Sequence, residues 1–404
     1  MLAAVVAAAA AGGVVAAMLL SSGGDDEAAP QASTGAASAP ATTGTSTSAT
    51  KGARGTATTG TPASATAAVD TRGLHLPPPP GQHSRRTRTF VLGTVDDALA
   101  QVGRRFAQAQ VDVSRDAGFD TAAVSATWQP GRRRPPASLV RVLRNVSEAT
   151  RRDGMKLAIV VWHGLGHNTP STPAERADFA AYADLLARSY DALKAARPDV
   201  LVLGGALSPR GADRPNGIRP THSPTAFIRD LGAAYRASHR RRPLMDAFAF
   251  HPYMEASRDS PNGTHPKNTT VTIADYPKLV ALLREAFHGT AQPGERLPIY
   301  YTEFGVQTRV PPAKRRFYVD LDSPTGTDAV AFRVQAAYYR RALELAYCQP
   351  TVRGLFVFHT FDEPGLGGWQ SGLYFADRTP KPSLAPFKRA VADLRNGGFP
   401  RCRR

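Results

Sequence analysis

Short apolar runs rich in β-branched and aromatic residues alternate along most of this chain with longer segments whose apolar positions recur every three or four residues. The first pattern predicts strands and the second amphipathic helices. Seven strands are predicted: TFVLGT (89–94), TAAVSATW (121–128), KLAIVVWH (156–163), VLVLGGAL (200–207), AFAFHPY (247–253), PIYYTEFG (298–305) and GLFVFHTF (354–361). The helical segments between them carry their own end signals. RRFAQAQVDVSRDAGF and SLVRVLRNVSEATRRDG each place a glycine near the C-terminal end, where a left-handed residue closes a helix. SPTAFIRDLGAAYRAS opens with Ser-Pro, a cap followed by proline at the first helical position. DYPKLVALLREAFH and DAVAFRVQAAYYRRALELAY complete the set. Strands alternating with helices predict βα units and a parallel sheet.

One interval is short of a strand. Between Lys156 and Val200 the chain holds one strand and one helical stretch, AERADFAAYADLLARSYDALKAARPD. Phe179, Tyr182, Leu186, Tyr190 and Leu193 keep helical spacing, and no Gly or Pro interrupts them before Pro198. This reads as a single long helix with no strand inside it. The expected fold is therefore α/β, a TIM-type (β/α) barrel one βα unit short, with seven recognisable strands.

The N-terminal region is of another kind. Residues 1–20, MLAAVVAAAAAGGVVAAMLL, are continuously apolar, enough to cross a bilayer as a helix. They lack a basic start, so a signal peptide and an uncleaved membrane anchor both stay open. Either implies export, with the chain secreted or tethered at the membrane. Residues 21–86 are mostly Ala, Thr, Ser, Gly and Pro, with LPPPPG near their end. Such a segment buries too little apolar surface to offset its ordering entropy, and is expected to be a disordered linker. That leaves 87–404, or 404 − 86 = 318 residues, for the barrel.

Charge and cysteines change the picture little. The net charge is +17, from 50 Lys and Arg against 33 Asp and Glu. The arginines are spread along the chain, with clusters such as Arg132–Arg134 and Arg240–Arg242 at predicted turns and helix ends, and no nucleic-acid motif accompanies them. No nucleic-acid partner is expected. Cys348 and Cys402 are the two cysteines, and in an exported chain a disulfide between them would tie the tail to the last long helix. No metal-ligand spacing and no phosphate-binding glycine loop stands out, so neither metal nor cofactor is expected.

The chemistry gathers at strand ends. Trp128, Trp162 with His163, His251 with Tyr253, Glu303, and His359 with Asp362 and Glu363 all fall there. In parallel α/β folds those ends and the loops after them build the active site. Five strands ending this way predict a shared, aromatic-lined site.

These segments resemble the clan A (β/α)8 glycoside hydrolases, including their cellulase-like and xylosidase-like families. YYTEFGVQT is similar to their seventh strand, whose terminal Glu is the nucleophile. FAFHPY resembles their sixth strand with its His-x-Tyr. FVFHTFDEPGLGGWQSGLYFADRTPKPSLAPFKRAV resembles their closing strand, loop and final helix, and YDALKAARPDVLVLGGALSP the approach to their fifth strand. The resemblance covers most of residues 88–395. It implies a carbohydrate substrate or ligand, Glu303 as nucleophile, Tyr253 donating a hydrogen bond to it, and His251 shaping the floor. Trp162, His163, Trp369 and His359 are the implied sugar-binding or supporting residues.

The chain departs from that family at one place. Clan A enzymes carry an Asn-Glu pair at the end of the fourth strand, and that Glu is the acid/base; this sequence contains no Asn-Glu dipeptide. The missing strand and the missing acid/base are thus one event. Asp362 and Glu363 are the remaining carboxyl candidates for the role, with Glu175 expected instead as a first-turn helix carboxylate and His163 as a proton donor in mild acid. Three readings follow: retaining hydrolysis of a β-linked poly- or oligosaccharide, weakened or lost; a non-hydrolytic carbohydrate-binding pseudoenzyme; or a truncated product that folds poorly.

Overall fold

A computed structural model describes residues 15–19, 90–96, 98–99, 103–128, 134–163, 178–214, 221–322, 328–399 and 402. The strands are β1 (Val15–Leu19), β2 (Val91–Val95), β3 (Thr121–Trp128), β4 (Lys156–His163), β5 (Leu201–Leu207), β6 (Ala247–Phe250), β7 (Ile299–Phe304) and β8 (Val352–Phe358). The helices are α1 (Arg104–Ala117), α2 (Ala137–Arg152), α3 (Asp178–Ala196), α4 (Pro224–Ala237), α5 (Tyr276–Phe287), α6 (Phe332–Cys348) and α7 (Leu384–Arg395). Strands β2 to β8 are parallel wherever they pair, in the spatial order β4-β3-β2-β8-β7-β6-β5. This is a TIM-type barrel short of one βα unit.

The shortfall lies between β4 and β5. Between them the described residues form α3, one helix of 19 residues, and among the described residues no strand lies there. The two edges that a fourth unit would join are bridged by β1, which runs antiparallel to both. Val15 pairs with Val161 and Leu19 with Leu157 on one side, while Ala16 pairs with Leu203 and Met18 with Leu201 on the other. An open barrel would leave two rows of unsatisfied N–H and C=O groups, and β1 caps both rows. The segment expected as a signal or anchor thus contributes a strand. Residues 1–14, and the linker expected over 21–86, lie outside the described residues. Among the described residues no helix is long and apolar enough to cross a membrane.

Period-two alternation places two cores. In β6, Phe248 and Phe250 point outward under the helices while Ala247 and Ala249 point into the barrel. The interior is filled by Val91, Val95, Ala123, Leu203, Tyr300 and Phe356 among others. Phe356 is accommodated because its neighbour on β2 is Gly93, where any Cβ would overlap the ring. Tyr300 fits beside Gly354 in the same way. Small residues opposite aromatic ones thus close the barrel floor as packed side chains.

The helix ends follow the sequence signals. Gly118 after α1 adopts φ 105° and Gly154 after α2 adopts φ 67°. Ser223 caps α4, its Oγ accepting the Ala226 amide at 3.0 Å, with Pro224 at the first position. Cys348, at the end of α6, is disulfide-bonded to Cys402 and holds the tail against that helix. Outside β3 and β4 several strand limits differ from expectation by one to three residues, most at the end of β6 and at β8, which ends at Phe358. β6 stops at Phe250 because Pro252 has no amide to continue a ladder, so residues 251–253 leave the sheet as the start of a loop. β8 starts two residues early, at Val352, next to the Ile299 amide's bond to Thr351.

Candidate functional site

Glu303 is the penultimate residue of β7. Tyr301 and Phe304, three residues apart, both pack in the outer core, and the pairing with β8 shifts register between them. That irregularity turns Glu303 away from the apolar layer, at the C-terminal end of the barrel. Its side chain keeps 25% of its surface exposed. One oxygen, Oε2, accepts the Tyr253 hydroxyl at 3.0 Å and lies 3.3 Å from His251 Nδ1.

Both partners come from the stretch where β6 ends. Burial holds the His251 imidazole down to about 3, so the ring is neutral at ordinary pH. Burial, and after it the charge of Glu303, pushes the Tyr253 phenol well above 10, so the hydroxyl keeps its proton and donates it. Oε2 of Glu303 therefore meets one hydroxyl donor and one neutral ring. Aromatic rings enclose this group. Tyr253 stacks on Phe304 with centroids 6.3 Å apart and meets Trp369 at 5.2 Å. Phe358, the last residue of β8, stands edge-on to Tyr253 at 6.3 Å and to Trp369 at 5.6 Å.

The loop after β8 supplies the rest. Asp362 is buried and paired with Lys381 Nζ at 2.6 Å, both side chains at 0% exposure. It also accepts the Tyr318 hydroxyl at 2.7 Å and the Gly372 amide at 3.0 Å. Lys381 donates further to Thr308 Oγ1 and the Gln370 carbonyl. Burial pushes Asp362 up and Lys381 down, and their mutual contact opposes both shifts. This pair is committed to holding three chain segments together. Its neighbour Glu363 differs. Its side chain is 37% exposed, its Oε2 accepts the Trp369 amide at 3.0 Å, and its Oε1 lies 3.9 Å from Nδ1 of the buried His359.

The structure thus brings Glu303, His251, Tyr253 and Trp369 into one cluster, with Glu363 reaching it through the Trp369 backbone and His359 beside Glu363 and Phe358. Trp162 and His163 close β4 opposite Thr127 and Trp128 of β3. Their side chains, that of Trp128 and all of Glu175 lie outside the described residues. Three participants carried no sequence signal of their own. Phe358 looked like one more strand aromatic, Lys381 belonged only to a Pro-Lys-Pro turn, and Tyr318 sits in a loop without pattern.

No protein-family profile matches this chain, and no curated protein matches it. Solved structures similar to it include a family 39 glycoside hydrolase from Bacteroides cellulosilyticus, 19% identical over 76% of this chain with a TM-score of 0.49. A GH5_18 protein from Streptomyces cattleya, solved in complex with Manb1-4GlcNAc, is 16% identical over 76% of this chain and 81% of its own, with a TM-score of 0.42. An exo-beta-1,4-mannosidase from an Opitutaceae bacterium is 15% identical over 76% of this chain, also with a TM-score of 0.42. This chain spans 64% of the length of the first and 60% of the third.

Proposed function

We propose that this chain is a glycoside hydrolase of the retaining type, acting on a β-linked poly- or oligosaccharide with Glu303 as its nucleophile. The observation that carries the reading is the setting of Glu303: a part-exposed carboxylate at the C-terminal end of a barrel strand, held by a protonated Tyr253 and a neutral His251. Retaining chemistry needs a carboxylate to attack the anomeric carbon and a second carboxyl to protonate the leaving oxygen. Among the described residues no strand between β4 and β5 corresponds to the one that brings the second carboxyl in clan A enzymes, so any acid help must come from elsewhere at the barrel mouth. Loss of a general acid removes roughly 10²–10⁴-fold of rate.

The gap at the fourth unit also favours a second reading, a carbohydrate-binding protein that no longer hydrolyses. Assays with dinitrophenyl β-glycosides, whose leaving group needs little protonation, separate the two. Turnover that falls roughly 10⁴-fold or more in Glu303→Gln supports the nucleophile; unchanged turnover in that variant rejects it. Saccharide binding without turnover in the unsubstituted chain supports the second reading. The disulfide between Cys348 and Cys402 fits an oxidising compartment and so supports export. The apolar segment that would direct export is the one that supplies β1, and a single copy of the chain cannot use it for both.

A further inference from the structure

We infer that Glu363, from the loop after β8, is the acid/base partner of Glu303 and stands in for the carboxyl that a fourth βα unit would carry. This rests on the glycosidase reading above. Asp362 and Glu363 are adjacent, and their surroundings separate them. Asp362 is sealed against Lys381, with no exposed surface through which to meet a substrate. Glu363 keeps more than a third of its side chain exposed.

Its position is built rather than incidental. Glu363 and Trp369 are clamped to each other twice, the Glu363 amide donating to the Trp369 carbonyl at 3.1 Å and the Trp369 amide donating to Glu363 Oε2 at 3.0 Å. Gly368 leaves the room for this, since a Cβ there would overlap Oε2. The Trp369 ring then meets the ring of Tyr253, whose hydroxyl rests on Glu303. Glu303 thus accepts the hydroxyl of Tyr253, while Glu363 holds the backbone of the Trp369 whose ring meets Tyr253. Glu363 also lies near enough to act on the Tyr253 phenol, after burial, Glu303 and Tyr339.

In the first step Glu303 attacks the anomeric carbon, the bond from that carbon to the leaving oxygen breaks, and the proton of Glu363 goes to that oxygen. In the second, Glu363 as carboxylate takes a proton from water, the water oxygen bonds to the anomeric carbon, and Glu303 leaves as carboxylate. Both residues return to their starting state with one water consumed.

The test uses Glu363→Gln, which can still accept the Trp369 amide, and Glu363→Asp, which keeps the charge and withdraws the carboxyl. Dinitrophenyl and phenyl β-glycosides of glucose, xylose and mannose are the probes, with circular dichroism melts to confirm folding. Glu363→Gln is expected to slow phenyl glycosides roughly 10²-fold or more. With dinitrophenyl glycosides it should leave the first step nearly intact, release a burst of dinitrophenolate, and regain steady turnover with added azide, giving a glycosyl azide. Glu363→Asp should fall between. Equal loss on both leaving groups without azide rescue, or no loss on either, overturns the assignment of Glu363 while leaving that of Glu303 standing. An unsubstituted chain that releases no dinitrophenolate overturns the hydrolytic reading and this inference with it.

Discussion

The two sides of this barrel are built to different standards. On the β6–β8 side the strand ends are tied by side chains from distant segments. Tyr253 reaches Glu303, Lys381 and Tyr318 converge on Asp362, and Gln335 donates to the carbonyls of Val306 and Ser371 at 2.9 and 3.1 Å. On the β4–β5 side the described residues hold no fourth helix–strand unit, and the sheet is completed by Val15–Leu19 running antiparallel to its neighbours. β5 itself ends irregularly, with Gly205 at φ 104° and Ala206 at φ 58° beside a register shift. A retaining glycosidase of the clan this sequence resembles draws its two carboxyls from opposite sides of the barrel. Here the β6–β8 side holds Glu303 in a frame of side-chain contacts, and among the described residues no strand between β4 and β5 answers it. A sheet can be closed by any strand that satisfies its edges, but a catalytic pair cannot be completed by backbone.

Each side can be perturbed separately. Deleting residues 1–20 should have the largest effect on stability. At about 1 kcal/mol for each ladder hydrogen bond, losing β1 from both edges costs roughly 5 kcal/mol. Hydrogen exchange should then accelerate along β4 and β5 and not along β7 and β8. A deletion variant with the same melting temperature and the same protection would show that β1 is not part of the working barrel.

On the opposite side, Lys381→Met leaves Asp362 buried without its cation. Breaking such a pair costs about 3–5 kcal/mol. Equilibrium urea unfolding measures it, and Asp362→Leu in the same chain should recover most of the loss. Failure of the second substitution to help would mean that Lys381 acts through Thr308 and Gln370 instead.

Tyr253→Phe removes one hydrogen bond to a charged group, worth about 1.5–3 kcal/mol, so kcat on dinitrophenyl glycosides should fall roughly 10- to 100-fold with folding intact. An unchanged kcat would show that Glu303 does not depend on this donor.

The last perturbation is pH. The imidazole of His251 is held at about 3 when folded, against an ordinary 6.5. Between those values the unfolded chain binds the proton that the folded chain refuses. The stability this residue contributes is therefore complete above about pH 6.5 and drains away as pH falls toward 3. Melting temperatures of the wild type and of His251→Gln should diverge at neutral pH and converge in acid. Parallel curves would contradict a neutral buried ring.

Much of this architecture was legible from periodicity. β3 and β4 fall on their expected residues, and α3 is the single helix that the spacing from Phe179 to Leu193 demanded. Glu303 was placed at the end of its strand because a β-forming run stops there. The use of Val15–Leu19 was not legible. A run of Ala, Val, Leu and Met suits a leader, a membrane helix or a buried strand equally, and what distinguishes them is whether two unpaired edges stand nearby. The difference between Asp362 and Glu363 was also hidden. Two adjacent carboxylates look alike in one dimension, and only Lys381 and Tyr318, 19 and 44 residues away, single out the first.

By itself the amino-acid sequence determined the seven parallel strands, the helices between them, the missing unit and the carboxylate at position 303. Those follow from apolar spacing, turn residues and chain order, which are local properties. The tertiary structure alone decided that the N-terminal run spans the gap, that His251 is neutral, that Asp362 is spent on an ion pair, and that Glu363 stays part-exposed on the Trp369 backbone. Each of those depends on which charges and unsatisfied backbone groups come within a few ångströms after folding, and spacing along the chain carries no record of that.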